Sequence, residues 1–153
     1  MKRIQRQSTA EMIAESYDLL PGRLAKVLAH VDFFEGDPLA AGLHRFEDAD
    51  DGRSFRTTAH CVQPCHMLHL PAQRRVTTIV LPPGENRGLY TVVHELGHAL
   101  DELDGHTWLA SPVNDYAKTN RFEAFACAFE AWVFHTDAEL FGPTTKLFEW
   151  WAS

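Results

Sequence analysis

The stretch 89-LYTVVHELGHALDEL-103 decides how this chain is interpreted, because it has the periodicity of an amphipathic helix. At about 100° per residue, its valines and leucines fall on one face, following the i, i+3/i+4, i+7 rule. These residues are Leu89, Val92, Val93, Leu96, Leu100 and Leu103. His94, His98 and Asp101 fall on the opposite face. The sequence therefore predicts a helix that is anchored through its apolar side and presents two histidines from the other.

The two histidines have the spacing of metal ligands. A separation of i, i+4 puts their imidazoles one turn apart, so both Nε2 atoms can reach one zinc ion at about 2.0 to 2.1 Å. Glu95 lies about 100° further round the helix than His94, which places its carboxylate beside a metal-activated water rather than on the metal. The pattern predicts His94 and His98 as zinc ligands and Glu95 as the general base. The alternative is a chance string of solvated side chains on an ordinary helix.

A catalytic zinc site needs a third protein ligand. The downstream candidates are Asp104, His106, Glu123 and Glu130. Asp104 lies six residues after His98, where the metzincin pattern has its third ligand, but that pattern has a glycine where this chain has Asp101. Glu123 is favoured because it stands near the start of the next predicted helix, 121-RFEAFACAFEAWVFH-135. Asp104 remains the main alternative.

The helix predicted at 121–135 has two faces of its own. Glu123, Cys127 and Glu130 share one side at i, i+4 and i+7. Its apolar side is formed by Phe122, Phe125, Phe129 and Val133. A helix that packs through these phenylalanines could aim Glu123 at the two histidines. The other interpretation of Glu123 is a capping-box partner for Asn120.

Two segments together carry a resemblance to a known family. The run 94-HELGHALD-101, followed by 115-DYAKTNRFEAFACAF-129, resembles the catalytic domain of the anthrax lethal factor family of zinc metallopeptidases, which is similar to the bacterial Pro-Pro endopeptidases. In that family an HExxH helix is followed by a segment close to Tyr-x-x-Thr-Asn-x-x-Glu. This chain has Tyr116, Thr119, Asn120 and Glu123 in that register. The resemblance covers residues 94–130.

The resemblance implies a gluzincin-type zinc site. By it, His94, His98 and Glu123 would bind zinc and Glu95 would be the base. Tyr116 would place its hydroxyl near the metal to stabilise the oxyanion, a role that a phenol donor also allows on chemical grounds. A half-buried structural tyrosine is the alternative. The chain departs from the family at Cys127, where relatives often carry a second acid.

Two further sets of polar residues have candidate roles. Asp101 lies one turn beyond His98 and could accept the spare N–H of a ligand histidine, fixing its tautomer. It could equally be a helix-face acid. The run 61-CVQPCHMLH-69 contains a Cys-x3-Cys-His-x2-His pattern, which raises the alternative of a structural zinc site, although the spacing is shorter than in usual Cys2His2 sites. Its members are Cys61, Cys65, His66 and His69.

The rest of the sequence predicts helices, then strands, then helices. Ser8 and Glu11 are spaced as a capping box at the start of a helix over 8–20, and a second helix is predicted over 23–34. Loops are expected from 35 to 56, and two short strands at 66–70 and 75–81. We expect an α+β fold, a compact zincin-like domain spanning 1–153. Strand 75–81 is expected at the edge of its sheet, packed against the HExxH helix, where an extended substrate can pair with it.

Composition excludes several functional classes. The chain has 153 residues, a formal charge of −7 and scattered basic residues, which argues against nucleic acid as a partner. No run approaches the roughly 18 apolar residues of a membrane span, and the basic start lacks a signal-peptide core. Three cysteines are too few for a disulfide framework. These features favour the cytoplasm, with export by a non-Sec route as the alternative. A monomer is expected, although the sequence does not give the oligomeric state.

The pattern as a whole predicts a zinc-dependent endopeptidase. Its partner would be an extended polypeptide, hydrolysed through a metal-activated water with Glu95 as base. The resemblance hints at proline-containing or signalling-protein targets. Two other classes stay open: a zincin-fold regulatory or toxin-like module with one protein target or no activity, and a structural zinc domain built on the cluster at 61–69.

Overall fold

The computed structural model describes residues 8–43, 58–81, 88–107, 115–134 and 143–153. Within these segments it has five α-helices and three strands, so the expected α+β class is confirmed. The elements are α1 (Thr9–Asp18), α2 (Gly22–Val27), β1 (Asp32–Glu35), β2 (His60–Val62), β3 (Thr78–Leu81), α3 (Leu89–Leu103), α4 (Arg121–Val133) and α5 (Pro143–Ala152). Short 3-10 turns occur at Leu28–His30, Pro64–His66, Ala72–Arg74 and Tyr116–Lys118.

The strands form one mixed sheet in the order β1-β3-β2. β1 runs parallel to β3, with Phe33 opposite Ile79, and β2 runs antiparallel to β3, with Cys61 opposite Ile79. The expectation that strand 75–81 is an edge strand is therefore wrong, because both of its edges are paired. Its buried run Thr-Ile-Val-Leu suits a central strand covered on both faces. The edges of the described sheet belong to β1 and β2.

Two other local predictions are wrong for related reasons. Residues 66–70 were expected as a strand, but Pro64 opens a 3-10 turn there and the strand lies just before it, at His60–Val62. The second helix was expected to continue to residue 34, but it gives way to a 3-10 turn at Leu28–His30. The segment Asp32–Glu35 pairs with β3 instead, so tertiary pairing overrides the local helical pattern. Of the loops expected at 35–56, residues 44–56 lie outside the described segments.

Helix α1 begins as predicted. The Ser8 hydroxyl accepts from the backbone N–H of Glu11 at 3.2 Å, and the Glu11 carboxylate accepts from the backbone N–H of Ser8 at 3.3 Å. Both halves of the capping box are thus present. α1 packs against α3. The capping box therefore fixes the start of a helix that covers part of the core.

Helix α3 packs against α1, against α4 and against strands β2 and β3 of the sheet. Val92, Val93, Leu96 and Leu100 are fully buried, which confirms most of the predicted apolar face, whereas Leu103 is exposed. The side chains of His94 and His98 are only 13% and 16% exposed. The alternative of an ordinary surface helix with solvated histidines is therefore wrong, because α4 covers that face.

Helix α4 packs against α5 through an aromatic cluster. Phe125 and Phe129 are fully buried, and each meets the ring of Phe148 on α5 edge-to-face, with centroids 5.5 Å apart. Phe122, which was expected on the same apolar side, is exposed. The buried phenylalanines hold the face of α4 that carries Glu123 towards α3. Among the described segments, no helix combines the length and apolar character needed to cross a membrane.

Gly97 is the point of closest approach between α3 and α4. A Cβ at this position would lie 3.0 Å from Ala126 Cα and 3.1 Å from Phe129 Cβ. We expect Gly97→Ala to lower the free energy of unfolding by about 1 to 2 kcal/mol, because forcing apart a packed backbone contact costs more than the roughly 1 kcal/mol that alanine gains in helix propensity.

Urea unfolding of the metal-free protein measures this effect. The matched control is Gly22→Ala, since a Cβ at Gly22 meets nothing within 4 Å. That variant should be as stable as the wild type or more stable. A Gly97→Ala protein with unchanged stability would show that the two helices separate without cost.

Candidate metal centre

Helices α3 and α4 run antiparallel and bring three predicted ligands together. Glu123 Oε2 lies 2.9 Å from His94 Nε2, and Glu123 Oε1 lies 3.2 Å from His98 Nε2. One ligand atom from each of the three side chains lies within 4.8 Å of the others. In the part of the chain that the structure describes, this is the single group of three or more such side chains that meets this condition. The carboxylate of Glu123 thus spans the two imidazoles.

The donor set fits a zinc ion. Two imidazole nitrogens and one carboxylate oxygen are the ligands of many catalytic zinc sites. Donors at 2.0 to 2.1 Å from a tetrahedral ion lie about 3.4 Å apart, so the observed contacts of 2.9 and 3.2 Å need only a small opening. The side chains are 13% to 16% exposed, which leaves the group partly open to solvent.

Three comparisons with known proteins add nothing to this geometry. Neither the family models, nor the curated proteins, nor the solved structures yielded a match to this chain. The resemblance of residues 94–130 to lethal factor-like peptidases therefore stays a prediction.

The structure distinguishes between the four candidates for the third ligand. The carboxylate of Asp104 accepts from the Thr107 hydroxyl at 2.6 Å, and His106 Nδ1 lies 3.0 Å from Asp101 Oδ2. Neither Asp104 nor His106 belongs to the converging group. Glu130 contacts His94 through Nδ1, the ring nitrogen that does not face Glu123. Glu123 is the candidate that the fold brings to both histidines.

Both interpretations of Glu123 hold at once. Its backbone N–H donates to the side chain of Asn120 at 2.9 Å, which caps helix α4 as the sequence pattern predicts. Its carboxylate does not return to Asn120 but contacts His94 and His98. The cap fixes the first turn of α4, so it also orients the side chain of Glu123.

Asp101 has a different partner from the one expected. It was expected to accept the spare N–H of a ligand histidine, but its carboxylate pairs with His106 just beyond the end of α3. Asp101 is 2% exposed, and burial raises the pKa of its carboxyl, against the opposing effect of His106. The reason for the wrong expectation is the turn at Gly105 and His106, both with positive φ, which brings the His106 ring back over Asp101.

The partner of the spare nitrogen of His94 is a residue whose role the sequence pattern did not reveal. Glu130 Oε2 lies 3.1 Å from His94 Nδ1, and the thiol of Cys127 lies 4.0 Å from the same nitrogen. Sequence reasoning weighed Glu130 only as a metal ligand. The available signal was its spacing of seven residues after Glu123, which puts both carboxylates on one face of α4.

The two residues with predicted catalytic roles are Glu95, whose burial is known, and Tyr116, for which only the backbone is described. Glu95 is 6% exposed and sits next to His94 on α3. Hydrogen bonds with Cys127, Glu123 and Glu130 raise the pKa of His94 the most, and the negative charge of Glu95 adds a smaller contribution in the same direction. Tyr116 belongs to the 3-10 turn Tyr116–Lys118, which packs against α4, but its side chain lies outside the described part of the structure. Both roles stay predictions.

The cluster at 61–69 does not form a comparable site. Cys61 is buried in the main core, Cys65 is exposed, and His69 Nε2 lies 2.6 Å from the carbonyl oxygen of Gly42. Among the described residues, no three members of this cluster come within reach of one ion. The geometry therefore does not support a structural zinc domain built on these residues.

His94 and Glu123 shift each other's pKa in opposite directions. Burial lowers the pKa of His94, but hydrogen bonds with Cys127, Glu123 and Glu130 outweigh it, so the pKa lies well above 6.5. Burial raises the pKa of Glu123, but hydrogen bonds with both histidines outweigh it and hold the pKa well below its usual range. In the metal-free site the Glu123 carboxylate therefore favours the protonated form of His94, and the two imidazoles favour the ionised form of Glu123.

Zinc uptake at pH 7 is expected to release about one proton, because a ligand imidazole must give up the proton that His94 holds in the metal-free protein. The raised pKa means that the proton stabilises the metal-free fold below pH 6.5 and that this stability is lost as the pH rises through the folded-state pKa. Zinc affinity should therefore increase as the pH rises from 6.5 through the folded-state pKa of His94. Calorimetric titration in two buffers of different ionisation enthalpy counts the proton, and zinc binding without proton release would show that His94 is neutral.

Proposed function

We propose that this chain is a zinc-dependent endopeptidase of the gluzincin kind, similar to lethal factor-like and Pro-Pro endopeptidases. His94, His98 and Glu123 would hold the zinc ion. The observation that carries the proposal is the carboxylate of Glu123 between the two imidazoles of an HExxH helix, with contacts of 2.9 and 3.2 Å. These donors come from two helices that pack at Gly97, so the group is held by the core rather than by a loop.

The residues of the chain have separate tasks in this proposal. When bound, zinc supplies a Lewis acid that polarises a peptide carbonyl and lowers the pKa of a water molecule. Glu95 takes a proton from the attacking water and returns it to the leaving amine, which a carboxylate can do at neutral pH. Its burial keeps bulk water away from that carboxylate. The hydroxyl of Tyr116 would donate to the developing oxyanion.

The substrate in this proposal is an extended polypeptide. The fold removes one route for its binding, because both edges of β3 are already paired. Any pairing of substrate with the described sheet would have to use β1 or β2, the two end strands of the described order. The proposed zinc ligands do not depend on how the substrate pairs with the sheet, because they lie on helices α3 and α4.

Incubation of the zinc-loaded protein with a peptide library tests the proposal. We expect cleavage of internal peptide bonds, loss of cleavage when zinc is removed by a chelator, and recovery on adding zinc back. The sequences of the products would show whether proline is preferred. A protein that binds one zinc ion and cleaves nothing would favour the regulatory or toxin-like module instead.

A further inference from the structure

We propose that Glu130 is a positioning residue that holds His94 in the tautomer able to bind metal. Glu130 Oε2 lies 3.1 Å from His94 Nδ1, on the side of the ring away from Glu123. The inference rests on the proposed zinc site and names the residue that aims one of its ligands. It assigns Glu130 no contact with the metal or the substrate.

The chemistry of the imidazole ring explains why such a partner matters. A neutral imidazole carries one N–H, and the hydrogen bond made by one nitrogen decides which nitrogen keeps it. An ionised carboxylate can only accept, so Nδ1 must donate to Glu130. Nε2 then presents its lone pair in the direction of Glu123 and His98. A carboxylate in this position also increases the basicity of the ligand nitrogen.

Helix geometry places Glu130 in this position. Seven residues make about two turns, so Glu123 and Glu130 lie on the same face of α4. Because α3 and α4 are antiparallel, His94, one turn before His98, lies beside the later part of α4. One helix therefore supplies both a metal ligand and the partner of another ligand. The contact between Gly97 and Ala126 sets this register.

Cys127 is the competing partner for the same nitrogen, and its geometry is weaker. Its sulfur lies 4.0 Å from Nδ1, against 3.1 Å for the Glu130 oxygen. A hydrogen bond to a charged carboxylate is also roughly twice as strong as one between neutral groups. The structure thus assigns the main hydrogen bond of His94 Nδ1 to Glu130, with the buried thiol of Cys127 as a second, longer contact.

Zinc affinity of substituted proteins tests the inference without depending on activity. Competition with a chromogenic chelator would give the Kd of the full chain. We expect Glu130→Ala to weaken zinc binding by about 10- to 100-fold, and Glu130→Gln by less, because its amide oxygen can still accept from Nδ1. The exposed-surface control Glu149→Ala should bind zinc as the wild type does, and Cys127→Ala should weaken binding by less than Glu130→Ala, because its sulfur is the more distant contact of Nδ1. Circular dichroism of the metal-free variants, with Glu130→Gln as the isosteric form, separates a loss of fold from a loss of orientation.

Nitrogen-15 NMR of the zinc-loaded protein gives a signature that a purely structural role would not change. The wild type should show His94 protonated at Nδ1 with a slowly exchanging N–H, and Glu130→Ala should lose that protection. Wild-type affinity in Glu130→Ala, or a larger loss in Cys127→Ala, would overturn the inference while leaving the zinc site intact. Zinc binding without peptide cleavage would overturn the proposed function but not the role of Glu130. A wild-type protein that takes up no zinc would overturn both.

Discussion

Glu95→Gln is expected to lower the rate of peptide cleavage by about 10²- to 10⁴-fold while leaving zinc content unchanged. The amide has the size of the carboxylate but cannot accept the proton of the attacking water. Glu95 does not belong to the converging group of His94, His98 and Glu123, so its replacement should leave the donor set complete. The measurement is kcat/KM on the best peptide from the library, together with zinc per chain by atomic absorption.

The matched control lies on the same helix. Glu102 accepts a hydrogen bond from the Thr77 hydroxyl at 3.1 Å, and a glutamine there can still accept it. Glu102→Gln should therefore cleave at the wild-type rate. If Glu95→Gln also cleaves at that rate, another group must take the proton, and the assignment of Glu95 as general base is wrong.

Glu123→Ala is expected to reduce zinc affinity by more than the 10- to 100-fold typical of an outer partner, because it removes a ligand itself. Two imidazoles alone leave half of a tetrahedral site without protein donors. Glu123→Gln keeps the side-chain volume but replaces the carboxylate with a neutral amide. It should therefore also reduce zinc affinity. Chelator competition gives both values.

Asp104→Ala is the control for this prediction, because Asp104 was the main sequence alternative for the third ligand. Its carboxylate accepts from Thr107, and it is not part of the converging group. We expect that variant to bind zinc as the wild type does. Full zinc occupancy in Glu123→Ala, or loss of zinc in Asp104→Ala, would place the third ligand elsewhere.

Features that depend on residues close in sequence were predictable. The capping box of Ser8 and Glu11, the cap of Asn120 and the apolar face of α3 each join residues a few positions apart, and the structure contains all three. The i, i+4 spacing of the histidines is of the same kind. Helix geometry alone converts such spacings into positions on a face.

Features that depend on which elements meet were harder to predict. The run 75–81 is apolar and β-branched whether its strand is at the edge or in the centre, and only pairing with β1 and β2 makes it central. Asp101 was predicted as the partner of a ligand histidine, whereas Glu130 was weighed only as a metal ligand. The turn after α3 takes Asp101 to His106, and the register of α4 takes Glu130 to His94.

The sequence by itself determined the helix that carries His94, Glu95 and His98, because a pattern of apolar residues and a spacing of four need only one helix. It also identified Glu123 among the candidate ligands. Only the tertiary structure decided that Glu123 reaches both imidazoles and that Glu130 holds the far side of His94. Those contacts join residues 25, 29 and 36 positions apart, and the close packing of α3 on α4 at Gly97 brings them together.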